Sequence, residues 1–273
     1  MSSITDQLKE TASFIQQQCN TKPQVGIILG SGLGNFVSEI KVEKEIAYGD
    51  IPHFPVSTVQ GHSGKLIFGE LGGKPVMAMA GRFHYYEGYT SQHITYPIRV
   101  MKALGVETVF LSNAAGGCNR NFKVGDLMII KDHISFFTPN PLIGKNEEDL
   151  GPRFPDMSEP YSHELIAKAK AIAERLQIPV HTGVYVAVTG PTFETRAEYL
   201  LIDKLGGDAV GMSTVQEVIT AKHASMRAFA ISVITDIGIR EEENIITHEE
   251  VLEAANAAEP KLTSIFTQLI KEL

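Results

Sequence analysis

The densest cluster of reactive side chains lies between Gly81 and Tyr89, in the run Gly81-Arg82-Phe83-His84-Tyr85-Tyr86-Glu87-Gly88-Tyr89. An arginine presents a planar fork of donors that matches a phosphate group. His84 can hold or pass a proton, and Glu87 can orient its ring. An aromatic surface loop would need the tyrosines only. Arginine, histidine and glutamate together at the end of a strand point to anion binding with proton control.

Other segments carry weaker signals of the same kind. Gly30-Ser31-Gly32-Leu33-Gly34 follows an apolar run, and its glycines let backbone amides approach an anion closely. A tight turn would have the same composition. Asn35 stands where a dinucleotide fingerprint needs its third glycine, although Asp50 lies at the distance of the acidic residue in that motif. No Gly-Lys-Ser/Thr follows, so a Walker loop is excluded. Gly61-His62-Ser63-Gly64 frees a histidine to face a ligand, or is a polar turn. Ser112-Asn113-Ala114-Ala115-Gly116-Gly117 leaves room for a ligand at a strand end, or for close strand–helix packing. Phe193 and Glu194, in Gly190-Pro191-Thr192-Phe193-Glu194-Thr195, supply a flat apolar surface and a polar edge for a planar base. A buried glutamate needs such a partner. Val210-Gly211-Met212-Ser213-Thr214 enters a helix start, which suits an anion at Ser213. Thr235-Asp236 and His248 are read equally well as a turn and as a solvent-facing residue.

These segments need elements to hold them. Apolar and β-branched runs predict strands at 25–29, 66–68, 76–80, 108–111, 127–130, 184–188, 209–211 and 229–234. Alternation of such runs with helical segments predicts an α/β fold with a parallel or mixed sheet. Three Thr-x-x-Glu patterns predict capped helix starts: Thr195 with Glu198, Thr214 with Glu217, and Thr247 with Glu250. The last opens a helix whose apolar face is Val251, Leu252, Leu262, Ile265, Phe266 and Leu269. The proline-rich stretch 140–160 lacks periodicity and predicts an ordered functional loop or an interface arm.

Composition narrows the class. The 273 residues carry a formal charge of -8, with no basic stripe of the kind that tracks nucleic acid. Cys19 and Cys118 imply free thiols rather than a disulfide framework. The start of the chain lacks the apolar core of a signal peptide, and no apolar run reaches a membrane span. A cytoplasmic protein with no membrane partner is expected.

Taken in order, GSGLG, GHSG, GRFHYYEGY, NAAGG, DHI, NPLIG, RFPDMS, GPTFET and VGMST resemble the trimeric purine nucleoside phosphorylase family, which also contains methylthioadenosine phosphorylase. The resemblance runs from about Pro23 to the last helix. It implies a single α/β domain spanning 1–273, a three-layer, phosphorylase/hydrolase-like fold with a central mixed, partly barrel-like sheet flanked by helices. It implies reversible phosphorolysis of purine nucleosides, with inorganic phosphate as co-substrate and no metal or other cofactor. By position, Ser31, His62, Arg82, His84, the Ala114 backbone and Ser213 would bind phosphate. Tyr86, Met212 and His248 would meet the ribose. Phe193, Glu194, Val210, Thr235 and Asp236 would meet the base, with His84, Glu194, Asp236 and His248 carrying the chemistry. Phe154 would close the site of a neighbouring subunit in a homotrimer.

One position departs from the 6-oxopurine pattern. Those enzymes carry asparagine where this chain has Asp236, and aspartate there is typical of the methylthioadenosine branch. Glu194 and His248 favour inosine and guanosine. The alternatives are a methylthioadenosine phosphorylase or adenosine-accepting variant, a dinucleotide-dependent oxidoreductase, and a nucleoside-binding protein without catalysis.

Overall fold

The computed structural model describes residues 3–59, 63–239 and 245–273. Within them the strands are β1 (Val25–Ile28), β2 (Lys41–Ala47), β3 (Lys65–Leu71), β4 (Lys74–Ala80), β5 (Thr108–Gly117), β6 (Leu127–Ile134), β7 (Val180–Ala187), β8 (Ala209–Gly211) and β9 (Arg227–Ile237). The helices are α1 (Ile4–Gln18), α2 (Ser91–Ala103), α3 (His163–Arg175), α4 (Arg196–Lys204), α5 (Val215–His223) and α6 (His248–Lys271).

The strands form one mixed sheet in the order β2-β3-β4-β1-β5-β8-β7-β6-β9, and β9 also pairs with β5. That extra pairing closes β5, β8, β7, β6 and β9 into a ring, while β1, β4, β3 and β2 extend from it as an open sheet. The result is an α/β fold with a partial barrel flanked by helices. Helix α2 packs with α1 and α5, and α6 packs on β9 and α3.

Strands β4, β1, β5 and β9 are mutually parallel neighbours. A parallel set needs apolar residues on both faces, and β1 is buried at every position. Ligands in such sheets sit at the carboxyl ends of the strands. The Gly30 loop follows β1, and the Arg82–Glu87 segment follows β4.

Three expectations change, and one strand is added to those expected. Strand β2 was not visible in the sequence, because Lys41-Val42-Glu43-Lys44-Glu45-Ile46-Ala47 buries only Ile46. It is an edge strand, and charge on an edge blocks pairing with other chains. The segment 112–117 is not a loop after β5. It continues the strand and pairs with 231–237 of β9. Thr235 and Asp236 likewise belong to β9 rather than to a turn beyond it. The box expected at Thr214 and Glu217 does not form. Thr214 has φ 72 and makes no side-chain cap bond, whereas Thr195 and Thr247 form theirs with Glu198 and Glu250.

Helix α6 ties the core to the first glycine loop. Buried Glu259 accepts from the Phe36 amide at 2.8 Å. Gly32 has φ +72, and a Cβ there would sit 2.6 Å from that of Ala255. This glycine therefore serves both a left-handed turn and close packing. Beneath it, Phe266 meets Phe36, Phe110 and Phe229 at centroid distances of 6.0, 5.3 and 5.9 Å. Truncation of a fully buried aromatic removes its transfer energy and leaves a cavity. Phe266→Ala should therefore lose about 3–5 kcal/mol in urea denaturation. A loss below about 1 kcal/mol would mean that the helix does not depend on this cluster.

Candidate active site

One cavity gathers most of the expected residues. Ser31, Arg82, His84, Tyr86, Ala114, Phe193, Glu194, Val210, Met212, Ser213, Thr235, Asp236 and His248 all line it. Seven elements contribute: the loops after β1 and β4, the late part of β5, the segment between β7 and α4, the exit of β8, β9 and the start of α6. His62 lies outside the described residues. Phe154 lies elsewhere. It is 87% exposed and borders a second cavity beside His133 and Arg153.

Arg82 is 1% exposed and held on several sides. Its Nε and Nη2 donate to the two carboxylate oxygens of Glu217 at 3.1 and 2.9 Å. Nη1 donates to the Ser112 carbonyl at 2.6 Å and to Ser213 Oγ at 3.3 Å. The Thr-x-x-Glu pattern predicts a capping role for Glu217. Glu217 instead neutralises the arginine, because a buried guanidinium without a counter-charge is expensive. The available signal was the arginine itself, since a buried one demands a carboxylate somewhere in the chain.

The left-handed Thr214 serves the same corner. Its Oγ1 accepts from Asn113 Nδ2 at 2.8 Å and lies 3.1 Å from Ser213 Oγ. A β-branched residue in this region is strained, and strain of this kind concentrates at functional sites. Asn113 is a cavity residue to which the sequence assigned no role. Its Oδ1 is buried with no protein hydrogen-bond partner.

His84 and Glu87 form the pair expected from the sequence. Glu87 Oε1 accepts from the His84 amide at 2.8 Å and lies 3.1 Å from Nδ1. The other carboxylate oxygen accepts from the amide and hydroxyl of Thr58, each at 2.7 Å. Tyr86 stacks on the imidazole with centroids 4.7 Å apart. With Nδ1 engaged, a bond from this ring to a ligand in the cavity falls to Nε2.

Strand β9 carries a bulge opposite β5. Ala115 pairs with Ile234, and Gly116 pairs with Asp236, so Thr235 has no partner in the ladder. Bulges re-aim side chains beside active sites. Here adjacent Thr235 and Asp236 both line the cavity, which regular alternation would forbid. Asp236 Oδ2 accepts from buried Tyr199 at 3.0 Å, and Thr235 Oγ1 lies 3.2 Å from Oδ1. Burial pushes the Glu194 carboxyl above its usual range, and nearby Asp236 and Glu198 add to the shift, while a hydrogen bond from Tyr199 opposes it.

The Glu87 carboxyl titrates at about 2 instead of 4.5. Burial alone would raise it, and hydrogen bonds from His84 and Thr58 outweigh that effect. A depressed carboxylate contributes stability that is complete above pH 4.5 and is lost as pH falls towards about 2. Denaturation at a series of pH values should show a shallower loss for Glu87→Gln than for the wild type over that window. Equal slopes would show that the pair contributes nothing.

Residues 24–271 match the family model described as the phosphorylase superfamily. The chain is 50% identical to purine nucleoside phosphorylase 1 of Bacillus subtilis (strain 168), over 99% of this chain and 98% of that one. It is 46% identical to purine nucleoside phosphorylase of Bos taurus, over 97% and 94%. A crystal structure of Schistosoma mansoni purine nucleoside phosphorylase in complex with inosine superposes with TM-score 0.93 at 42% identity, covering 98% of this chain and 96% of that one. The chain belongs to the phosphorylase superfamily and, within it, to the purine nucleoside phosphorylase family.

Proposed function

We propose that the chain, acting as one domain, catalyses reversible phosphorolysis of purine ribonucleosides and deoxyribonucleosides, with inosine and guanosine preferred. The products are the free base and the pentose 1-phosphate. The observation that carries this reading is the shared cavity, which brings an anion-type group (Arg82, His84, Ser31 and Ser213) beside a base-type group (Phe193, Glu194 and Asp236). A protein that only bound nucleosides would need the second group alone. The inosine held by the Schistosoma mansoni relative supports the same substrate class.

In this reading Ser31, Arg82, His84, Ser213 and the Ala114 amide hold phosphate below C1′, with His62 from outside the described residues. Tyr86, Met212 and His248 position the ribose. Phe193 and Val210 pack on the base, and Glu194 accepts from its N1–H. A phosphate oxygen attacks C1′ as the bond to N9 breaks, through an oxocarbenium-like transition state, and C1′ inverts. The electron pair of that bond passes into the purine, which takes a proton at N7 from water. Most of the acceleration comes from holding phosphate in line. Glu217 offsets the charge of Arg82, so the guanidinium acts by geometry more than by net attraction. Phosphate is the co-substrate, and no metal or organic cofactor has a role in these steps.

Exposed Phe154, remote from its own chain's cavity, supports a homotrimer in which it covers a neighbour's site. No described helix is long and apolar enough to cross a membrane, and the acidic, cysteine-poor composition supports a cytoplasmic enzyme.

Incubation with inosine, guanosine, adenosine or methylthioadenosine, each with and without inorganic phosphate, tests the proposal. Base release from inosine and guanosine should require phosphate and yield ribose 1-phosphate. Release without phosphate would overturn the role of the Arg82–His84 segment. A methylthio substrate outcompeting inosine would move the chain to the methylthioadenosine branch.

A further inference from the structure

Two carboxylates, Glu194 and Asp236, line the same cavity, and a phenol lies between them. Tyr199 on α4 is 2% exposed. Its hydroxyl donates to Asp236 Oδ2 at 3.0 Å and is within hydrogen-bonding reach of Glu194. Burial, with both carboxylates adding, pushes the phenol far above its ordinary range, so it stays a donor. On the other side, Thr235 Oγ1 lies 3.2 Å from Asp236 Oδ1 and 3.4 Å from the Ala115 carbonyl, the carboxylate being the nearer acceptor for its proton. Hydroxyls thus meet both oxygens of Asp236, an arrangement that favours the acceptor form of a carboxylate.

The backbone is shaped around this phenol. A Cβ on Gly116 would fall 2.7 Å from the Tyr199 hydroxyl and 3.0 Å from Asp236 Oδ2. A Cβ on Gly238 would fall 2.1 Å from atoms of the Tyr199 ring. Two backbone positions on two strands' ends are therefore kept without side chains where Tyr199 reaches Asp236. Among the described residues, the titratable groups facing Asp236 include Tyr199 of α4, Glu194 ahead of it, Cys118 just after β5 and His248 of α6 across the cavity. Burial pushes the Cys118 thiol up, so it remains neutral.

We propose that Tyr199 is a positioning residue for base selection: its hydroxyl fixes Asp236 as a hydrogen-bond acceptor, so that 6-aminopurine nucleosides are accepted alongside 6-oxopurine ones. The inference rests on the nucleoside reading above and goes on to the chemistry of the base. A 6-oxopurine nucleoside presents only acceptors, N7 and O6, along that edge. An acceptor facing them repels until N7 takes its proton as the base leaves. A 6-amino group supplies a donor from the outset. Without the phenol, Asp236 binds a proton more readily and becomes a donor to N7 or O6.

The test is Tyr199→Phe in the full chain. kcat/KM for inosine and adenosine is measured at saturating phosphate across a pH series, and binding of hypoxanthine and adenine is measured by calorimetry without phosphate. Loss of a hydrogen bond to a charged group corresponds to roughly tenfold. The wild type should turn over both nucleosides. Tyr199→Phe should raise the inosine-to-adenosine ratio of kcat/KM by about that factor and move the pH profile for inosine. In an Asp236→Asn background the same substitution should leave the ratio unchanged. Gly116→Ala keeps the phenol ring and crowds its hydroxyl, and it should shift the ratio in the same direction, so it tests the idea even where Tyr199→Phe fails to fold. Equal loss for both nucleosides with an unmoved pH profile would overturn the proposal, as would an undiminished shift in the Asp236→Asn background. A rise in hypoxanthine binding relative to adenine binding in Tyr199→Phe, in a protein that releases no base, would sink the reaction and leave the role of Tyr199 standing.

Discussion

The ion pair between Arg82 and Glu217 constrains everything around it. Both side chains are buried, at 1% and 6% exposure, so neither can be left without the other. Breaking a buried pair by removing one partner typically costs about 3–5 kcal/mol. The pair therefore holds the first turn of α5 against the segment that follows β4. The turn into α5 takes an unusual path to meet it: Thr214 adopts a left-handed conformation and Asn113 anchors its hydroxyl. Ser213 is thereby brought within 3.3 Å of the guanidinium. An anion site assembled this way is rigid before any ligand arrives, which is what positioning catalysis requires.

A second constraint acts through the closed part of the sheet. Parallel pairing of β5 with β9 places small residues, Ala114 to Gly117, opposite Val233 to Ile237. The glycines leave space that Tyr199 fills, and the bulge at Thr235 turns two consecutive side chains into one cavity. Of the base-facing carboxylates, Asp236 is thus set by strand register, and the anion-facing group is set by a salt bridge. The two constraints meet along β5, where Ser112 accepts from Arg82 and Gly116 pairs with Asp236.

Much of this was legible in the order of residues. The apolar runs located most strands, because a strand buried on both faces must be continuously apolar. Thr195 and Thr247 marked helix starts correctly, since capping is local chemistry satisfied within one turn. His84 and Glu87 were legible as a pair for the same reason: three residues apart, they meet within a single turn. The density of Arg, His and Glu after β4 pointed to the anion group without any tertiary information.

What the chain could not reveal alone depended on distant partners. Thr214 and Glu217 carry the same local signal as the two true boxes, and only the buried charge of Arg82, 135 positions away, diverts Glu217 from the cap. Strand β2 is too charged to be recognised until β3 supplies its ladder. The bulge at Thr235 exists only as a mismatch between two strands, and the hydroxyl of Tyr199 has meaning only beside Asp236. Local sequence determined the elements, their caps and the kinds of chemistry on hand, because those follow from interactions within a turn or a strand. Tertiary structure decided which acid serves the arginine and which face of β9 sees the cavity, because burial makes each of those choices a matter of long-range pairing.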